Sequence, residues 1–354
     1  MSIGEVLISL KQNKPKPIYL ILGKESYLVN RVKENMIDSF LNNEVNEFNF
    51  AKYDMEEHPL GSALEEAESF PFFGEKKVVF IENPFFLTGE KNKAKIEHDF
   101  TRLENYLKNP SEFSVLVFIA PYSKLDQRKK ITKLLKKVAI LIDTQPMKEY
   151  ETKSFIKEEI RSSGYSIQPE AFEKLLALTD LHLTHIMNEL EKLKIYHMDT
   201  KHITLTSVEN LVSKSLEQNI FELNDYILKK NTGEALELYQ ELLLQKEEPI
   251  KIIALMLSQF RLLLQVKILR TKGYQQADIA KLIKVHPYRV KLALQQEKKF
   301  EQTTLSQAYN GLIEADYRIK TGQGNVQMQF ELFILSFCAV SKQDSSYQVK
   351  KLYS

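Results

Sequence analysis

Pro17-Ile18-Tyr19-Leu20-Ile21-Leu22-Gly23 is a short apolar run that stops at a glycine, and Leu28, Val32, Met36 and Phe40 follow it at helical spacing over residues 26–41. That is a strand feeding a helix. Further β runs are expected at 48–53, 77–81, 115–120 and 138–143, with helical patterns at 60–69, 94–107 and 126–137 between them. Strands that alternate with helices and are apolar on both faces imply a mainly parallel sheet covered on both sides. Residues 1–143 therefore read as an α/β domain.

The turn after the first strand is where a phosphate loop belongs, and it reads Gly23-Lys24-Glu25-Ser26-Tyr27-Leu28-Val29-Asn30. A phosphate loop needs a second glycine followed by Lys and then Ser or Thr, so that backbone amides cradle phosphates and the hydroxyl holds magnesium. None of these is in place. Glu25 also sets a carboxylate where phosphate charge would lie, which is repulsive unless a metal intervenes. Phe80-Ile81-Glu82-Asn83 ends a strand with one carboxylate and no adjacent partner, so a magnesium site has little support. The turn at Gly23, Lys24 and Glu25 reads as a degenerate phosphate loop with no nucleotide, no cofactor and no metal expected, and no catalytic residue stands out.

Ser69-Phe70-Pro71-Phe72-Phe73-Gly74 interrupts the helical pattern before the third strand. The phenylalanines could fold back under the sheet edge. Alternatively, Pro71 and Gly74 bracket Phe72-Phe73 and hold the pair outward as a protein-docking anchor. Burying two such rings in a partner is worth roughly 3 to 6 kcal/mol before costs, or about two to four decades of affinity. Docking is the expectation, with Lys76 and Lys77 beside it adding on-rate toward an acidic surface. A second feature is the run Lys124, Arg128, Lys129, Lys130, Lys133, Lys136 and Lys137, set against Asp126 alone. With Ile131, Leu134, Leu135 and Val138 as the buried stripe, these cations share one helix face. That face is either simply solvated or touches a phosphate backbone without reading sequence.

Beyond Asp143-Thr144-Gln145-Pro146 the pattern becomes helical throughout, which marks a boundary. A small bundle is expected over 144–212, with Gly164 closing one helix, Pro169 opening the next, and Thr206-Ser207-Val208-Glu209 as a capping box. His182, His185, His197 and His202 lack a completing carboxylate or thiol and are expected at the surface. Residues 213–341 read as longer helices. Ile250, Ile253, Leu257, Phe260 and Leu264 form a heptad seam, and residues 275–296 resemble a helix-turn-helix with Tyr288, Arg289 and Lys291 opening its second helix. A polar tail, 342–354, follows.

At 354 residues the chain has room for two or three domains. Its 49 basic and 47 acidic residues nearly cancel, which excludes a general nucleic-acid coat and leaves only local contacts. One cysteine, Cys338, excludes an internal disulfide and any Cys-based zinc module. With no eighteen unbroken apolar residues and no leader pattern at residues 1–5, a cytoplasmic protein without membrane partners is expected.

Together these features resemble the delta subunit of the bacterial DNA polymerase III clamp loader. The resemblance rests on Gly23-Lys24-Glu25-Ser26-Tyr27-Leu28, Asn188-Glu189-Leu190-Glu191-Lys192-Leu193, Asn219-Ile220-Phe221-Glu222-Leu223, Gln259-Phe260-Arg261-Leu262-Leu263, and Glu314-Ala315-Asp316 with Ile319-Lys320, in that order through three domains. It implies an α/β AAA+-like N-terminal domain (1–143) that binds the sliding clamp (beta), a small helical lid (144–212) and a helical collar domain (213–341). By the same resemblance, the collar is expected to join the tau/gamma and delta prime subunits. It further implies ring opening for loading onto primed DNA, without ATP hydrolysis by this chain, within the polymerase holoenzyme. The family's clamp-binding turn carries a hydrophobic pair that Phe72 and Phe73 match, with Phe70, Pro71 and Gly74 around it and Ser69 where the general motif has glutamine. Lys129, Lys130, Lys133 and Lys137 are the candidate DNA-backbone contacts. Two other readings are an active AAA+ ATPase, requiring nucleotide at Gly23 to Asn30, and a helix-turn-helix DNA-binding protein acting through Arg289 and Lys291.

Overall fold

The computed structural model describes residues 15–41, 48–71, 76–89 and 96–339, and the chain divides into two compact units, Met1–Glu151 and Thr152–Ser354. In the first unit, β1 (Ile18–Leu22) leads to α1 (Ser26–Leu41), then β2 (Phe50–Asp54), α2 (Leu60–Glu68), β3 (Lys77–Glu82), a 3-10 turn (Phe85–Leu87) and α3 (Phe100–Lys108). β4 (Ser114–Ala120), α4 (Lys130–Val138) and β5 (Ile140–Asp143) complete it. Among the described residues these strands form one five-stranded parallel sheet in the order β2-β3-β4-β1-β5. The α/β expectation holds, and its cause is visible in the alternation of the central strands. Ile18, Leu20, Val79, Ile81, Leu116 and Phe118 are buried with α2, α3 and α4 on one face. Tyr19, Ile21, Val78, Phe80, Val117 and Ile119 are buried with α1 on the other. With both faces covered, an apolar residue at every position is what the strand needs.

Two helices start later than their periodicity predicts. α3 begins at Phe100 because Asp99 caps it, its carboxylate accepting the Arg102 amide at 3.0 Å. Residues 94 and 95 of the expected helix lie outside the described set. α4 begins at Lys130 because Asp126 instead accepts the amide of Arg128 at 3.0 Å, holding residues 126–129 in a turn. Val138, expected in the buried stripe, is 38% exposed at the end of that helix.

The second unit comprises α5 (Glu149–Ser162, which begins just before it), β6 (Ser166–Ile167), α6 (Pro169–Leu178), α7 (Leu183–Tyr196), β7 (His202–Ile203) and α8 (Leu205–Leu211). Then come α9 (Leu216–Leu228), α10 (Thr232–Leu244), α11 (Pro249–Thr271), α12 (Gln276–Ile283), α13 (Pro287–Glu297), α14 (Gln302–Lys320) and α15 (Val326–Ala339). It is not purely helical, since β6 and β7 pair in parallel. The capping box lies two residues earlier than expected: Thr204 accepts the Ser207 amide and Ser207 Oγ reaches back to the Thr204 amide, both at 3.3 Å. His197 is not at the surface. It is buried between Thr200 Oγ1 (3.2 Å) and Ser207 Oγ (2.8 Å), joining the end of α7 to the start of α8.

The heptad seam is also displaced. Ile250 is 55% exposed, whereas Ile252, Ile253, Met256, Phe260, Leu263 and Val266 are buried. α11 packs against α9, α12, α13, α14 and α15, so burial covers more than one stripe and single-seam spacing does not locate it. α11 is long and apolar enough to cross a membrane by composition, and here that composition serves as the central core helix.

Candidate functional site

α2 carries the aromatic segment at its C-terminal end. Leu60, Ala63, Leu64 and Ala67 fall at positions i, i+3, i+4 and i+7, and all four are buried against the sheet. Its N-cap, Pro59, has no side-chain acceptor, so His98 Nδ1 accepts the first amide, that of Leu60, at 3.1 Å. Burial among Phe85, Phe86 and Phe100 pushes the His98 pKa below 6.5, against a smaller opposing pull from the Met55 backbone. On the outer face, Arg102 of α3 reaches Glu65 at 2.9 Å and Glu68 at 2.6 Å. Those two carboxylates, Glu68 first, raise the guanidinium pKa.

The end of α2 is fixed differently. Lys77, the first residue of β3, is 4% exposed, and its ammonium lies 2.5 Å from Glu66 Oε1 and 2.6 Å from Ser69 Oγ. Ser69 Oγ also donates to the Glu66 carbonyl at 2.8 Å. Lys76 Nζ donates to the Glu112 carbonyl at 2.6 Å, and the Lys77 amide to that of Phe113 at 2.8 Å. The expected steering role is therefore corrected for Lys77, whose ammonium is buried in an ion pair; Lys76 is bonded to a neutral carbonyl and keeps its charge at the surface. Ser69, in the place of the motif's glutamine, has its hydroxyl engaged within the chain. Phe70 is 71% exposed and its ring lies tilted against Phe113, centroids 4.9 Å apart, with Phe113 itself 42% exposed. Pro71 is half-buried. Phe72, Phe73 and Gly74 lie outside the described residues.

At the turn expected to be a degenerate phosphate loop, only Gly23, Lys24 and Glu25 separate β1 from α1. The Gly23 amide donates to Ala120 O at 3.1 Å and the Glu25 amide to Thr144 O at 3.0 Å. A Cβ on Gly23 would sit 2.0 Å from the Thr144 carbonyl carbon. The chain leaving β5 thus occupies the space beside this turn and takes up the Glu25 amide. Lys24 is exposed and lines, with Tyr122, Lys124, Asp126 and Arg128, an open cavity of about 510 Å³ beyond the strand ends. Glu82 is held by Lys33 at 2.6 Å and Lys52 at 3.8 Å.

The basic helix divides its cations. Arg128 pairs with Asp126 at 2.9 Å, and these contacts hold the Asp126 carboxyl down at about 2. Lys129 Nζ donates to Phe86 O at 2.9 Å, and Lys130 pairs with Glu104 at 2.6 Å. Lys133 and Lys137 are exposed on the same side of α4 as Lys130. Glu104, on a neighbouring helix, is an acid that the local sequence gave no reason to place there. In the helix-turn-helix region, Tyr288 is buried and Lys291 lies over its ring at 6.0 Å. Arg289 is half-buried and acts on Asp180, whose carboxyl pKa is raised chiefly by burial.

Two family models, described as DNA polymerase III, delta subunit, and as its C-terminal domain, match residues 19–145 and 217–337; a third, described as a middle domain, matches 148–210. The DNA polymerase III subunit delta of Bacillus subtilis (strain 168) is 43% identical over 337 residues, covering 94% of this chain and 96% of its own. The chain belongs to the DNA polymerase III delta subunit family. A probable delta subunit of Aquifex aeolicus (strain VF5) is 28% identical over 72% of each chain. Among solved structures, the Bacillus subtilis DNA clamp loader delta protein matches with a TM-score of 0.71 and 42% identity, covering 96% of this chain and 100% of that one. Membership of the delta family ties the chain to DNA replication and to the multi-subunit clamp loader.

Proposed function

We propose that this delta-family chain binds the sliding clamp through Phe70, Pro71, Phe72, Phe73 and Gly74, and that this binding promotes opening of the ring. The observation that carries the reading is the rigid base of the segment: α2 is tied at both ends and along its outer face, while Phe70 stands exposed beside Phe113. Binding favours whichever clamp conformation best accommodates the rings. A few kcal/mol of differential binding shifts a strained ring toward the open form, and two buried aromatics supply that order of energy.

The chain works without hydrolysing ATP. In support, the Glu25 amide is taken by Thr144 O and Glu82 is paired with lysines. Timing then comes from the neighbouring tau/gamma and delta prime subunits, joined through a collar formed by residues 213–341. The apolar positions Ile313 and Tyr317 on α14, and Met328, Leu332 and Leu335 on α15, are exposed and suit that assembly. Residues 144–212 serve as the lid, and Lys133 and Lys137, with Lys129 and Lys130 behind them, meet the backbone of primed DNA in the assembled complex. The place of action is the cytoplasm.

The deciding experiment is clamp binding by the full chain carrying Phe72→Ala and Phe73→Ala. A loss of about a hundredfold or more with folding intact is expected; unchanged binding would sink the reading.

A further inference from the structure

Lys77 is a buried cation at the head of a strand that continues Val78-Val79-Phe80-Ile81, and apolar packing of β3 gives no reason for it. Its ammonium meets Glu66 in the last turn of α2 and Ser69 at that helix's C-cap, while its amide is bonded to Phe113 O. One residue therefore ties together the end of α2, the start of β3 and the turn entering β4. In the sequence, residues 70–76 connect two of the points it joins. Phe113, reached through the same residue's backbone, is the ring against which Phe70 rests.

We propose that Lys77 is a positioning residue that presets the stems of the docking loop, with Glu66 and Ser69 as its anchors; this rests on the reading that Phe72 and Phe73 dock on the clamp. A loop whose stems are already fixed loses less conformational freedom when it binds, so the same rings give tighter association. A buried ion pair contributes little net stability compared with an apolar residue of similar volume, and one registry role of such pairs is to fix a single arrangement. An apolar residue at position 77 fills the same space and leaves the stems untied.

The test is a mutant cycle on the full chain, comparing Lys77→Met, the Phe72→Ala/Phe73→Ala pair, and their combination by clamp Kd and by thermal melting. Lys77→Met is expected to fold and to weaken clamp binding about tenfold, with no further loss when the two rings are already absent. A folded Lys77→Met chain that binds like wild type overturns the proposal. So does an equal loss in both backgrounds, which would mean that Lys77 acts elsewhere. If only the ring variant binds like wild type, the docking reading itself has failed and takes this one with it. Should Lys77→Met not fold, Ser69→Ala removes one anchor while Glu66 still pairs the ammonium. An affinity loss of about threefold that vanishes without the rings supports the proposal, and no loss overturns it.

Discussion

His98 Nδ1 accepts the amide of Leu60 at 3.1 Å, which makes an imidazole from the segment before α3 the N-terminal cap of α2. The ring can do this only while Nδ1 is unprotonated. Burial holds the folded pKa below 6.5, so the unfolded chain takes up the proton more readily. This contribution is complete above about pH 6.5 and is lost as pH falls through the lower folded value. The melting temperature should drop below pH 6.5 more steeply in wild type than in His98→Asn, as read by thermal melts over a pH series.

Gly23→Ala should destabilise the first unit by about 3 kcal/mol, at the upper end of what overpacking costs. The new Cβ would meet the backbone of Thr144 at 2.0 Å, and no side-chain rotation relieves that. Urea unfolding checks the size of the loss, and loss of amide-exchange protection at Glu25 checks its origin.

Lys133→Glu with Lys137→Glu should leave folding unchanged, because both side chains are exposed. In the assembled loader the pair should weaken primed-DNA binding and reduce the salt slope by about two, one for each lost phosphate contact. Titrations at several salt concentrations measure this; an unchanged slope would show that this face of α4 is merely solvated.

His197→Ala should cost about 2 kcal/mol, since it leaves the Ser207 and Thr200 hydroxyls without the ring that now joins them and opens a cavity where α7 meets α8. The same change at His202, exposed beside Ser166, should be near neutral. Comparing the two melting temperatures separates burial from residue type.

The α/β unit was legible because its signals are local. Leu22 followed by Gly23 stops a strand, Leu28 to Phe40 repeats at helical spacing, and doubly buried strands read as unbroken apolar runs. α11 was misread in detail for the opposite reason: neighbours on several sides bury Ile252 and Met256 as deeply as Ile253, and no single stripe reports its orientation. The helix starts at Phe100 and Lys130 followed from Asp99 and Asp126, whose capping and turn roles periodicity does not register. Least legible was Lys77. Its anchors lie 11 and 8 residues back in the chain, and a lysine next to another lysine carries no sign that only one of them leaves the solvent.

The tie between Lys77 and the end of α2 joins the two points that residues 70–76 connect along the chain. Because those two points are held to each other, sequence change between them that keeps the Phe70–Phe113 and Lys76–Glu112 contacts does not by itself untie helix from strand. On the proposed docking role, changes between residues 70 and 76 would retune the match to a clamp from another species while Lys77, Glu66 and Ser69 keep the two ends joined. A chimera that carries a relative's version of this short span should take on that relative's partner preference without its scaffold.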